Sequence, residues 1–170
     1  MKISTILVLL IVSLTITMSQ AQESESIKLK NHSVGLITGS TAGYGLSYRY
    51  RSDYNIGAQV SYGPYKDESQ FTQFASFAFT YDLVKTERSN FYLYQSNGYW
   101  HTKHTYNEYY YYPQPETIEY TESLWNHAIG VGMEFTIHDV VGINLMTGYG
   151  SYNNFDYITF SGEFGVYYKF

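Results

Sequence analysis

Between residues 32 and 170, apolar and polar side chains alternate with a period of two in eight runs punctuated by turn-forming residues. The runs cover about 32–40, 42–51, 54–63, 71–83, 90–99, 124–138, 141–151 and 157–170. Strict alternation puts successive side chains on opposite faces of a strand. Run two sets Tyr44, Leu46, Tyr48 and Tyr50 against Gly43, Gly45, Ser47 and Arg49. Run six sets Trp125, Ile129, Val131, Met133, Phe135 and Ile137 against Asn126, Gly130, Gly132, Glu134 and Thr136. Run five, NFYLYQSNGY, is aromatic on both faces and its phase stays open. Beyond residue 21 no helical period of 3.6 is sustained.

Alternation does not say which face meets solvent. A soluble barrel buries the apolar face, whereas a membrane barrel turns it to lipid. Three features favour lipid. The apolar faces are too bulky to share the lumen of an eight-stranded barrel, which ordinary side chains already fill. The opposite faces are rich in glycine and carry Arg49, Arg51, Asp82, Glu134, Glu163 and Lys169, a set suited to a narrow polar interior. Aromatic residues sit at the run ends, with Tyr50, Tyr54, Tyr81, Tyr168 and Phe170 expected at one membrane interface and Tyr44, Tyr62, Phe71, Trp125 and Tyr149 at the other. The connections RSD, KTERS and HDV are short, while PYKDESQ and residues 100–123 are longer and fall on the opposite side. The predicted fold is all-β: an eight-stranded antiparallel up-and-down transmembrane β-barrel. The alternative is a soluble periplasmic barrel holding a hydrophobic ligand.

The N-terminus sets the compartment. Lys2 is followed by an apolar stretch and a small-residue site at Ser19 and Ala21, which predicts a signal peptide over 1–21. A short periplasmic segment over 22–31 and the barrel over 32–170 complete the expected organisation. Loss of Lys2 with the signal changes the net charge from −5 to −6, so no basic stripe is available for nucleic acid. There is no cysteine, hence neither a disulfide framework nor a thiolate metal site.

The last run ends Glu163-Phe164-Gly165-Val166-Tyr167-Tyr168-Lys169-Phe170. In its polar residue Glu163, its Gly165 and its aromatics Tyr168 and Phe170, this stretch resembles the C-terminal assembly signal of bacterial outer-membrane barrels. In strand number, loop asymmetry and size the chain resembles the small OmpA/OmpX-type barrels. The resemblance implies recognition of the last strand by the barrel assembly machinery, insertion into the outer membrane and contact with its lipid.

Candidate chemistry is sparse. The interior charges are expected to form a structural network, because a buried charge without a partner costs several kcal/mol. Barrels that deacylate lipid A carry a His-x-Ser pair, and none of His32, His101, His104, His127 or His138 has a serine two residues on. No enzyme, cofactor or metal site is expected; His101 and His104 lack a placed carboxylate. The stretch 100–123 is tyrosine-rich and has a local charge of −3. Trp100, Tyr106, Tyr109, Tyr110, Tyr111 and Tyr112 are the candidate contacts for an extracellular protein or glycan, since tyrosine offers amphipathic contact area at low entropic cost. The competing reading is that strands five and six run on above the membrane as a ribbon. The expected role is structural or adhesive, with a small-solute or ion pore as the alternative.

Overall fold

The computed structural model describes residues 30–108 and 116–170. The predicted signal peptide, most of the segment 22–31, and Tyr109, Tyr110, Tyr111 and Tyr112 lie outside the described residues.

Eight strands follow in chain order: β1 His32–Gly39, β2 Gly43–Arg51, β3 Ile56–Lys66, β4 Gln70–Lys85, β5 Ser89–Glu108, β6 Glu116–Ile137, β7 Val141–Tyr152 and β8 Tyr157–Lys169. Each pairs antiparallel with the next, and β8 returns to β1 through the register Ser33↔Lys169 to Gly39↔Glu163, closing the barrel. Closure leaves no free edge around the wall. The tight turns use residues suited to a left-handed backbone, including Asn55, Asp139, Asn153 and Asn154, all at positive φ.

Facing follows the alternation. Leu36, Leu46, Ile129 and Phe160 are 63–67% exposed on the outside, while Arg49, Gln59, Glu134 and Asn144 are at most 2% exposed inside. Such an apolar outer wall around a polar interior is that of a membrane-spanning barrel. Tyr50, Tyr54, Tyr81, Tyr168 and Phe170 are exposed near one end; Tyr44, Tyr62, Trp125 and Tyr149 are exposed towards the other. The phase of β5 is now fixed: Asn90, Tyr92, Tyr94, Ser96 and Gly98 point inward, and Leu93 outward.

The structure decides or departs from the sequence-based expectation in three places. Of the two readings of 100–123 the ribbon holds for the described residues: β5 and β6 pair from Trp100↔Leu124 to Glu108↔Glu116. Its threonines, tyrosines and isoleucine have high β propensity, and no apolar stripe was needed to hold them. Phe71 lies at the start of β4, opposite Lys66 at the end of β3, in the strand-end position expected of it. Pro64 falls inside β3, but beyond Tyr62, where pairing with β2 stops, so no ladder bond is lost. Finally, a bulge in β4 between Asp82 and Val84 shifts parity by one residue, so that Lys85 pairs with inward-facing Asn90.

Candidate functional site

The end of the lumen near the β2–β3, β4–β5 and β6–β7 turns holds a charge cluster. Register brings its members together: Arg49 is opposite Gln59, Asn90 is opposite Glu134, and Ser33 is opposite both Arg49 and Lys169. Glu134 is the hub. One carboxylate oxygen accepts from Arg49 Nη1 and, at 3.3 Å, from Arg51 Nη2, and the other lies 2.5 Å from Lys169 Nζ. Arg51 Nη1 donates to Asp82 Oδ1 at 2.9 Å, and Lys85 Nζ stands 3.8 Å from Asp82 Oδ2. Arg49 also donates from Nε and Nη2 to Gln59 Oε1 at 2.9 and 2.6 Å.

Two rings complete the cluster. The Arg49 guanidinium lies 4.1 Å from the centre of the Tyr167 ring, and that of Arg51 lies 4.6 Å from the centre of the Tyr92 ring. Cation–π contact of this kind gains strength where water is excluded. Tyr92 donates to Asn144 Oδ1, and Tyr167 donates to Ser47 Oγ at 3.2 Å. Both rings depend on glycine. A Cβ on Gly132 would meet Tyr92 at 2.3 Å, and one on Gly165 would meet Tyr167 at 2.5 Å. The inward tyrosines were not assigned from sequence, although glycines on the same inner face signal the room they occupy.

Glu163 does not join this cluster, contrary to the expectation of one shared network. It lies opposite Gly39 and Met146, six residues along β8 from Lys169, nearer the other end of the lumen. At about 3.3 Å per residue, that is roughly 20 Å along the strand. Glu163 is buried near the Ala42 backbone and the Thr41 and Ser96 hydroxyls; among the described residues no cation lies within ion-pair distance of it, and Arg49 acts on it from further off. The surrounding fill is rings and hydroxyls. Tyr92, Tyr94, Ala128 and Met146 form an apolar cluster, and Tyr152 donates to Ser40 Oγ at 2.8 Å. Trp100, expected as an outward contact, instead donates from Nε1 to the Thr41 carbonyl at 3.0 Å and packs edge-on against Phe74 at 4.9 Å. Its even position puts it on the inward face, so it caps the lumen.

On the outer wall of β5 and β6, cross-strand register produces contacts that no sequence spacing revealed. His101 Nδ1 lies 2.9 Å from Ser123 Oγ, to which Tyr99 also donates at 3.0 Å. His127 Nδ1 lies 2.8 Å from Asn97 Oδ1, and its ring stacks on Phe155 at 4.7 Å. Ser123 therefore meets His101 and not His127. Among the described residues no carboxylate orients His101, so the pair lacks the third member of a nucleophilic triad. Nor do the described residues bring together three groups able to hold a metal ion. Of the candidate contact tyrosines, Tyr106 lies on β5 opposite Ile118.

No family model and no curated protein matches the chain. Solved structures do. The N-terminal β-barrel domain of Pseudomonas aeruginosa OprF is 17% identical with a TM-score of 0.54, the match covering 84% of this chain and 98% of that one. Neisserial surface protein A is 16% identical (TM-score 0.46; 82% and 94% covered). The attachment invasion locus protein Ail of Yersinia pestis, solved with the heparin analogue sucrose octasulfate, is 18% identical (TM-score 0.38; 82% and 96% covered). At such identity the likeness to the OprF barrel speaks to fold alone: this chain is an eight-stranded β-barrel of the outer-membrane kind.

Proposed function

We propose that the protein is a non-enzymatic outer-membrane barrel whose role is structural or surface-interacting, and that residues 100–123 carry the contact with an extracellular protein or glycan. The observation behind this reading is the unequal length of the strands. β5 and β6 have 20 and 22 residues, against 8 and 9 in β1 and β2. β4 accompanies β5 as far as His104, but β7 leaves β6 at His127, so β6 runs on with an open edge. Glu119 and Glu122 on that stretch discourage pairing with another strand, which leaves its side-chain faces as the contact surface. Tyr120 and Ile118 are exposed there. The packed lumen speaks against the pore alternative, since Arg49, Tyr92, Tyr94 and Tyr167 are all at most 2% exposed inside it.

The test replaces residues 101–123 by a two-residue turn and compares cells displaying either form on arrays of extracellular matrix proteins and glycans. Loss of binding, with an unchanged heat-dependent gel shift, is expected. Equal binding by the trimmed form would end the assignment to the ribbon, and reproducible single-channel conductance would restore the pore.

A further inference from the structure

We propose that the turn-proximal mouth of the lumen, on the side of Arg51, binds a small oxyanion of the phosphate class. This goes beyond the surface role, which belongs to the opposite end of the barrel.

The argument starts from charge. Four cations, Arg49, Arg51, Lys85 and Lys169, share two carboxylates, those of Asp82 and Glu134. Glu163 forms no ion pair with these cations among the described residues, although Arg49 is near enough to feel its charge. Arg49 and Arg51 are buried and Lys85 and Lys169 part-buried, and cations there in excess of their partners are costly unless an anion joins them. Beside them opens a cavity of about 300 Å³, lined by Arg51, Lys85 and Lys169 together with Glu134, whose carboxylate Arg51 and Lys169 already hold. Its rim carries Lys30, Glu87 and Asp139, all exposed, where water weakens their influence.

Donor capacity points the same way. The ammonium of Lys169 has three N–H groups. Two are engaged, by Glu134 and by Thr136 Oγ1 at 2.7 Å. Lys85 donates to the Ser52 carbonyl at 3.0 Å and only approaches Asp82. Arg51 Nε is buried without a partner. The Ser33 hydroxyl lines the same cavity and adds a neutral donor, while the Asn90 amide oxygen accepts from Arg51 Nη1 at 3.0 Å. A guanidinium with two ammonium groups and a neutral donor around one cavity is the chemistry that recognises phosphate oxygens. The anion is either free phosphate or the phosphate of a lipid headgroup.

The experiment uses the protein purified in an uncharged detergent, titrated calorimetrically with sodium phosphate and with sodium chloride at matched ionic strength. A third arm uses a short-chain phosphatidic acid. Saturable heat with phosphate but not chloride is expected, weakened about tenfold in Lys85→Gln and in Lys169→Gln. Lys85→Gln leaves every link to Glu134 in place, so it stays informative if the other variant does not fold. Saturation by inorganic phosphate identifies the free ion, and saturation by phosphatidic acid alone identifies the headgroup. Equal responses to phosphate and chloride with no saturation by the lipid, or folded variants that bind like the wild type, would overturn the site.

Discussion

Glu134 and Glu163 are the same residue type, both face the lumen, and they are 1% and 4% exposed. Their surroundings have little else in common. Glu134 meets Arg49, Arg51 and Lys169, while Glu163 lies among hydroxyls and a backbone amide with no cation in ion-pair distance among the described residues. The difference lies in what long side chains can span. In the Glu134 half, arginine and lysine reach across the lumen from β2 and β8 to one acceptor on β6. In the other half, Tyr94, Met146, Tyr152 and the Ser40–Thr41 hydroxyls fill the width with rings and short polar groups. Burial of a charge therefore says little about its partners until its level along the barrel is known.

The contrast is broken most directly at Glu134. Glu134→Ala leaves two buried arginines and the part-buried Lys169 short of their acceptor and is expected to lose about 3–5 kcal/mol, measured by urea unfolding in micelles. A loss below about 1 kcal/mol would erase the distinction between the two halves. Next in size is Gly132→Ala, which pushes a methyl into the Tyr92 ring and through it disturbs the seat of Arg51; about 1–3 kcal/mol is expected. Gly162→Ala serves as its control, because nothing lies within 4 Å of the added carbon. Glu163→Gln keeps the shape and removes a carboxylate that no described cation pairs with, so its unfolding free energy should stay within about 1 kcal/mol of wild type. A cost matching that of Glu134→Ala would show a network reaching the full height of the lumen. The smallest effect belongs to the ribbon. Glu119→Gln breaks a solvent-exposed pair with Lys103 (2.7 Å) and should cost roughly 0–1 kcal/mol.

Eight strands and their inward faces were legible because a period of two survives wherever one face must meet lipid. Arg49, Arg51, Asp82, Glu134 and Lys169 could be read together for the same reason. Lys85 could not, since the β4 bulge reverses parity just before it. Tyr92 and Tyr94 were hidden by the aromatics on the other face of β5, and only the glycine space of β6 distinguishes the two. The ribbon could be offered from the sequence only as one of two readings, because its residues above the membrane need no apolar face and the pattern that marks a wall strand stops while the strand continues. His101 and Ser123 lie 22 residues apart, and only the hairpin register brings them together.

The pairing of β1 with β8 also sets the order of assembly. Hairpins such as β5–β6 join neighbours in the chain and close at small entropic cost, but the seam Ser33↔Lys169 needs nearly the whole described chain between its two sides. Until the seam closes, β1 and β8 both present open edges, and Arg49 and Arg51 on β2 stand across an unclosed sheet from Glu134 on β6. The seam thus forms late, and its closure completes at one stroke the wall, the lipid-facing belt and the charge balance around Glu134.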